Sequence, residues 1–215
     1  AAEEALKMLQ DLGATVVDPI ALEAPRELRR DGFEVLLWEL KNDMAAYLAT
    51  RTHGSPRTLA DLIVFNTANA ESEMAFFGQE IFLQAQEKGD LSEETYIKAL
   101  ETVQRLTRED GIDSAMAQHE LDALVSPSSA LAWSIDLVHG DARTGGPSAP
   151  WYPAIAGYPH ITVPMGDVFG LPIGLSFFAG AWQEARLIEL AYAFEQATQA
   201  RRVPAMVPSL NLARS

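Results

Sequence analysis

The spacing of apolar residues changes near residue 122, and this change constrains the fold more than any other feature of the chain. Upstream, apolar side chains recur at intervals of three and four, which places them on one stripe of a helix of about 18 residues. The residues of this stripe are Phe33, Leu36, Leu37, Leu40, Met44, Tyr47 and Leu48. Downstream, short apolar runs bounded by proline and glycine are typical of strands. The pattern predicts an α/β fold that is mainly helical over 26–121 and contributes to a sheet over 122–200.

Four runs are predicted to form strands that are part of a mixed β-sheet flanked by helices. They lie near Thr15, Leu124, Thr162 and Ile173. The last two runs, 161–164 and 171–178, are separated by a turn from Gly166 to Gly170, which indicates a hairpin. The first run follows an opening helix that ends at Gly13. At 215 residues, the chain is predicted to form one domain, 1–215.

Polar residues at helix-starting positions predict where other helices begin. Thr58 precedes one helix, with Asp61 where a capping-box acid would lie, and Ser92 precedes another. Further helices are predicted over 72–86, 113–119, 151–157 and 183–200. The opening helix has neither an initiator Met nor a capping residue ahead of it. The chain is therefore expected to begin inside a larger protein.

The charge balance disfavours several classes of partner. Thirty acidic residues outnumber sixteen basic ones and give a formal charge of −14. A chain this acidic repels phosphate backbones and anionic headgroups, so direct nucleic-acid or membrane binding is not expected. No apolar run approaches the roughly 20 residues of a membrane span, and the start lacks a signal-peptide pattern. A soluble, cytoplasmic protein is expected, with a periplasmic location left open.

The sequence offers no pattern for a metal or an organic cofactor. It contains no cysteine, which excludes thiolate nucleophiles and cysteine-ligated metals. Its four histidines show no metal-ligand pairing; they are His53, His119, His139 and His160. Glycine-rich phosphate cradles are absent as well. The prediction is no metal and no cofactor.

Residues for nucleophilic catalysis are also badly placed. No G-x-S-x-G elbow occurs, and before Ser148 the proline at 147 removes an amide donor from the place where an oxyanion hole would need one. The lysines all fall on helices of solvated character, where none has the apolar surroundings of a catalytic base. These lysines are Lys7, Lys41, Lys88 and Lys98. No catalytic residue is assigned to this chain, although the loop that follows the 122–125 run is irregular, long and typical of ligand contacts.

Four motifs then occur in order: DALVSPSS, AIAGYPHITVPMG, GLPIGLSFFAG and EARLIELAYAFEQ. Together they resemble the C-terminal part of amidase-signature enzymes, and the helical section resembles the peptide-amidase-like branch. The resemblance implies a large mixed sheet flanked by helices. It also implies a Ser-Ser-Lys triad that hydrolyses a linear carboxamide to a carboxylate and ammonia. In the family those residues precede the region that this chain matches, so the resemblance places them on a missing N-terminal half and leaves this chain inactive by itself.

The resemblance also implies which residues form the far wall of the substrate pocket. They are Ser126, Pro127, Ser128, Ser129, Trp133, Asp136, Ser148 and Trp151. The two tryptophans would suit an apolar or peptide-like group beside the scissile amide, although ordinary core packing explains them equally well. Many relatives have paired threonines in place of Ser128 and Ser129, and an asparagine in place of Ile155. These differences leave the substrate class open.

Two alternatives remain at this stage. The chain could be a non-catalytic binding or interaction module that reuses the amidase fold, or part of a transamidating complex that acts on charged tRNA. A piece cut from a larger sheet is expected to expose a broad apolar face and to self-associate, whereas an independent module would not.

Overall fold

Residues 1–51, 54, 56–140 and 148–203 are described by a computed structural model of the chain. They fall into two units: one comprises Ala1–Glu23 and Gln104–Ser215, and the other comprises Ala24–Val103. His53 and Pro147, which were considered in the sequence, lie outside the described residues. The α/β class is confirmed. Within the described residues, no helix combines the length and the apolar character needed to cross a membrane.

Antiparallel strands form the sheet of the first unit. They are β1 (Leu124–Pro127), β2 (His160–Val168) and β3 (Leu171–Phe178), in the order β1-β3-β2. Because β3 is central, it pairs with both neighbours, and Ser176 lies opposite Ser126 on one side and Thr162 on the other. The predicted hairpin is confirmed, but its turn is tighter than the sequence suggested. Phe169 and Gly170 both have positive φ, and the register shift near Gly166 is a bulge within β2.

The strand predicted near Thr15 is wrong. The opening helix α1 (Ala2–Asp11) ends before Gly13, which has a φ of 97°. The residues that follow, 14–25, form no strand in the structure. A β-branched run becomes a strand only where a neighbouring strand supplies hydrogen bonds, and the described residues supply none to Thr15.

The first unit has its core on one face of the sheet. Leu175 and Phe177 of β3 and Val163 of β2 pack against the last helix, α9 (Glu184–Thr198), with Ala5 of α1 at the edge. The rings of Phe177 and Phe194 meet edge to face at 6.1 Å. Alternation along the strands directs these residues to the same face, and the three-to-four spacing of Leu187, Ala191 and Phe194 completes the contact from α9.

A helix that changes its pitch precedes the sheet. Helix α6 (Glu94–Thr107) passes into a π-helical turn (Arg108–Asp113) and then into α7 (Ser114–His119). A short helix, α8 (Trp151–Ala156), lies between β1 and β2 in sequence. The predicted bounds of α8 agree with the structure, whereas the helices predicted after Ser92 and over 113–119 are joined by the π-helical turn.

The second unit is built from helices. The long helix α2 (Arg26–Ala49) has 24 residues, more than the apolar stripe indicated. Its Leu37 packs against Leu59 of α3 (Leu59–Ala68) and Ala85 of α5 (Glu80–Gln86). The capping box predicted from the sequence is confirmed, because the Thr58 hydroxyl accepts from the Asp61 amide and the Asp61 carboxylate accepts from the Thr58 amide.

The single helix predicted over 72–86 is wrong. The chain forms α4 (Ala70–Glu73) and α5, separated by residues 74–79. Gln79 anchors this break to α3, because its side-chain amide donates to the Ile63 carbonyl and the Thr67 hydroxyl. A glycine at 78 weakens the helix at this point, and the tertiary hydrogen bonds of Gln79 favour the break.

We expect replacement of Phe194 by Ala to destabilise the first unit strongly. Phe194 is 1% exposed, and its removal leaves a cavity against Phe177, which costs about 3–5 kcal/mol. Ile188 on the same helix is 58% exposed, and Ile188→Ala should change stability by less than about 0.5 kcal/mol. Urea denaturation of both variants measures the difference. Equal losses would contradict the assignment of the α9 core face.

Candidate functional site

The chain leaves β1 through a narrow neck that brings three of the predicted wall residues, Ser128, Ser129 and Ser148, into one place. After β1, the Ser128 amide donates to the Gly174 carbonyl at 2.8 Å and so extends the pairing with β3. Ser129 and Ser148 then form an isolated antiparallel bridge, and the Ala149 amide donates to the Ser128 carbonyl at 3.2 Å. These residues, Ser128, Ser129, Ser148 and Ala149, are the loop neck. It closes a long connection, residues 128–150, which we call the β1–α8 loop.

Trp151 follows the neck directly at the start of α8. Its backbone amide donates to the Ser148 carbonyl at 3.2 Å, and its ring lies edge-on to Tyr152 at 6.2 Å. The side chain is half-buried. The structure therefore brings Ser148 opposite Ser129 and joins Trp151 to Ser148 through the backbone, and the predicted contact of these residues with substrate stays a prediction.

Asp136 forms a local turn in the outer part of the β1–α8 loop. Its carboxylate accepts from the amides of Val138 and His139 at 3.0 and 2.9 Å and lies 3.1 Å from His139 Nδ1. The backbone hydrogen bonds, that of His139 first, hold the pKa of Asp136 below its usual value. Asp136 therefore stabilises the loop, and its predicted contact with substrate stays a prediction.

Apolar side chains around this turn are turned towards solvent. Trp133 is 41% exposed, Ile135 82% and Val138 84%. Trp133 belongs to the predicted wall, whereas Ile135 and Val138, in the same loop, were not predicted to contribute to it. A loop that exposes several apolar side chains beside a fixed neck is suited to contact an apolar ligand.

A network of hydroxyl groups lies on the face of the sheet opposite the core, and the sequence analysis missed it. The Ser176 hydroxyl donates to Ser128 Oγ at 2.8 Å, Ser128 Oγ donates to Thr162 Oγ1 at 3.2 Å, and Thr162 Oγ1 lies 3.1 Å from Ser176 Oγ. We call Ser128, Thr162 and Ser176 the hydroxyl triangle. The signal was present, because the period of two in β2 and β3 directs residues 160, 162 and 176 to one face.

His160, the first residue of β2, completes the network. Its Nε2 lies 2.8 Å from Ser176 Oγ. Burial lowers the pKa of His160 below its ordinary value, because a charged imidazolium is poorly solvated there. The neutral ring is therefore the form that fits the folded protein at neutral pH.

Glycine at 111 makes room for Tyr152 beneath the start of α8. A Cβ at Gly111 would lie 2.7 Å from both the Leu106 carbonyl oxygen and a Tyr152 ring carbon. The Tyr152 hydroxyl, in turn, lies 3.0 Å from the carbonyls of Leu106 and Glu23. The π-helical turn thus forms the surface on which α8 packs.

Two further contacts fix α8 to the same turn. Arg108 Nε donates to the Ala156 carbonyl at 2.7 Å, and the Tyr158 hydroxyl donates to Asp113 Oδ2 at 2.7 Å. Burial and this hydrogen bond raise the pKa of Tyr158 to about 12, so it remains a proton donor. Because Trp151 and Ser148 adjoin α8, the π-helical turn helps to determine where they lie.

The lysines have partners other than serine in the described part of the chain. Lys7 and Lys98 pair with carboxylates on their own helices, at 2.9 Å to Asp11 and 2.5 Å to Glu94. Lys88 lies 2.7 Å from Glu34 and 4.7 Å from the centre of the Trp38 ring. The Lys41 ammonium donates to the carbonyls of Gln86 and Lys88. The prediction that all lysines are simply solvated is therefore wrong for Lys41 and Lys88, which are half-buried and fix the end of α5.

Among the described residues, no group of His, Asp and Glu side chains could hold a metal ion.

We expect Gly111→Ala to displace Tyr152 and destabilise the first unit by about 1–3 kcal/mol, because the added methyl group overlaps backbone and ring atoms. Gly180→Ala is the matched control, since its Cβ would meet only Asp113 Oδ1, at 3.4 Å. Thermal denaturation of the two variants gives the comparison. A Gly111→Ala protein as stable as Gly180→Ala would show that Tyr152 does not require this space.

We expect an NMR titration of the His160 ring to give a pKa below the ordinary value of about 6.5. The unfolded chain then binds more protons than the folded chain between the two pKa values. The contribution of neutral His160 to the free energy of unfolding is therefore present above about pH 6.5 and is lost as the pH falls through the folded pKa. His160→Gln should weaken the pH dependence of the free energy of unfolding in this range. A ring that titrates at or above the ordinary value would contradict the burial argument.

Comparison with known proteins agrees with the motifs. The Amidase family profile matches residues 1–188. A probable amidase of Arabidopsis thaliana is 34% identical over 208 residues, which are 94% of this chain and 37% of that protein. The structure of native peptide amidase from Stenotrophomonas maltophilia is 41% identical, with a TM-score of 0.84, and the match covers 94% of this chain and 40% of that one.

A peptide amidase in complex with the competitive inhibitor chymostatin is similar as well. It is 42% identical with a TM-score of 0.88, and the match covers 95% of this chain and 41% of that one. This chain thus spans about two fifths of the length of the relatives it matches. The match to the family profile over most of the chain confirms the family indicated by the motifs: the chain belongs to the amidase family and is similar to peptide amidases.

Proposed function

We propose that this chain forms the scaffold and one wall of the substrate pocket of an amidase that hydrolyses a linear carboxamide, including the C-terminal amide of a peptide. In that reaction the C–N bond breaks, the carbonyl carbon gains the hydroxyl of water, and the nitrogen leaves as ammonia. The likeness to peptide amidases over nearly the whole chain is the observation that carries this proposal.

The proposed enzyme takes its Ser-Ser-Lys triad from polypeptide outside residues 1–215. The contacts of the lysines support this division of roles. Lys7, Lys88 and Lys98 are each paired with a carboxylate, and Lys41 donates to carbonyls. A lysine that deprotonates serine must instead be neutral and in contact with its hydroxyl. The residues of this chain then bind and orient the substrate.

The wall itself is proposed to be the β1–α8 loop and its neck. The neck holds Ser129 and Ser148 in register, and Trp151 follows on α8. Trp133 and the exposed apolar residues around it offer an apolar surface for the side chain next to the scissile amide. The inhibitor complex of a related peptide amidase is consistent with a peptide-like substrate.

The division of roles is tested by an ammonia-release assay on an N-acylated dipeptide amide with an aromatic C-terminal residue. We expect turnover by the natural protein extended N-terminally from this chain and none by the 215-residue chain alone. Turnover by the shorter chain would contradict the external triad. No turnover of any amide by the longer protein would favour a non-catalytic module.

The role of the wall is tested by Trp133→Ala in the longer protein. Losing a large aromatic contact should raise KM for the aromatic peptide amide roughly tenfold, with kcat nearly unchanged. Trp182→Ala is the matched control, because Trp182 is 88% exposed and lies outside the β1–α8 loop. Equal KM values for the two variants would exclude Trp133 from the pocket.

A further inference from the structure

The loop neck is held by side chains as well as by backbone. The Ser128 amide donates to the Gly174 carbonyl and so joins the neck to β3, and the Ser128 carbonyl accepts from the Ala149 amide within the neck. The Ser128 hydroxyl belongs to the hydroxyl triangle, which joins β2 and β3 to the residue that follows β1. The position of the neck therefore depends on where the Ser128 side chain is held.

The hydrogen bonds of the triangle run in one direction. Ser176 has a single hydroxyl proton, and it is directed at Ser128. With the Ser176 proton directed at Ser128, Ser176 accepts from Thr162 and from His160, and the matching tautomer of His160 carries its proton on Nε2. Each hydroxyl then donates once and accepts at least once. A closed cycle of this kind satisfies the three hydroxyls, and its bonds strengthen one another.

Ser176 lies at the centre of this arrangement and is inaccessible. Its exposure is 0%, whereas Thr162 is exposed and Ser128 is half-buried. A hydroxyl without access to solvent cannot contact substrate, but it can fix the two hydroxyls above it. Leaving its partners unsatisfied would be costly, so the cycle favours one position of Ser128.

The strand next to the triangle is adapted to its close packing. A Cβ at Gly174 would lie 2.6 Å from Thr162 Cγ2 and 2.8 Å from Ser128 Oγ. Glycine at 174 therefore allows Ser128 and Thr162 to meet across β3. This observation is independent of the hydrogen bonds and leads to the same conclusion, because a glycine inside a strand marks a place where neighbours approach closely.

We propose that Thr162, Ser176 and His160 are positioning residues that hold Ser128, and through it the loop neck, in the geometry of the substrate-pocket wall. This inference rests on the proposed amidase function. The three residues act through Ser128 and do not themselves touch the substrate. The pocket wall is thus set by a polar cycle on the far side of the sheet from the apolar core.

The test uses the N-terminally extended protein and the peptide amide described above. We expect Ser176→Ala to raise KM roughly three- to tenfold while kcat changes less than about twofold, because a wall contributes mainly uniform binding. Gly174→Ala should have the same effect, although it removes no hydrogen-bonding group. Ser176→Cys, which keeps a weak hydrogen-bond donor at this position, should recover part of the loss.

Val163→Ala is the matched control for lost stability. Val163 neighbours Thr162 on β2, but its side chain lies in the core on the opposite face. This variant should lower the melting temperature and leave KM unchanged. An equal rise in KM for Val163→Ala, or unchanged KM for both Ser176→Ala and Gly174→Ala, would overturn the inference.

Hydrogen exchange separates this inference from the proposed function. The Ala149 amide, bonded to the Ser128 carbonyl, should exchange faster in Ser176→Ala and Gly174→Ala, while the Leu187 amide of α9 should not. This readout does not need turnover. If the wild-type protein hydrolyses no amide, the proposed function fails, and exchange at Ala149 still decides whether the triangle holds the neck. Unchanged exchange there would overturn the positioning role.

Discussion

The alternation of side chains along β3 is the constraint on which the rest of the first unit depends. Leu175 and Phe177 face α9 and form the core, whereas Gly174 and Ser176 face the other side. Because β3 pairs with both β1 and β2, the direction in which its side chains point determines which residues lie on each face of the described sheet. A slip of one residue would exchange the two faces, placing Ser176 in the core and Phe177 in the hydroxyl triangle. The packing of Leu175 and Phe177 against α9 therefore also fixes the position of Ser176 in the hydroxyl triangle.

This coupling explains how the β1–α8 loop is held at the end that follows β1. The burial of Phe177 against Phe194 sets the register of β3, and the register sets the position of Ser176 opposite Ser126 and Thr162. Ser176 then holds Ser128. At its other end the loop is fixed by α8, through the packing of Tyr152 over Gly111. Loops that carry function are commonly held at their ends by rigid elements. Here one end is held by the hydrogen bond between Ser176 and Ser128, and the other by the packing of Tyr152 over Gly111.

Much of the fold followed from the sequence because its signals are local. The hairpin of β2 and β3, the capping box at Thr58 and the last helix depend on residues a few positions apart, and the structure has all of them. The run at Thr15 could not be judged in the same way, since a strand needs a partner that local sequence does not reveal. The π-helical turn was missed for a related reason. Its glycine at 111 serves Tyr152, which lies 41 positions away in the sequence.

In the candidate site, too, the features set by neighbouring residues could be predicted from the sequence, and those set by residues far apart in the chain could not. The motif around Ser126 to Ser129 located the start of the loop, but the partners of Ser128 come from two other strands. Exposure of apolar groups does not identify the site either. Ile135 and Val138 are more than four-fifths exposed, but so is Trp182 near α9. Each such side chain gains free energy when covered, about 25 cal/mol for each Å² of apolar surface, wherever it lies. What distinguishes the β1–α8 loop is that its apolar residues extend from a neck fixed by hydrogen bonds, so a ligand that covers them does not also have to order that neck.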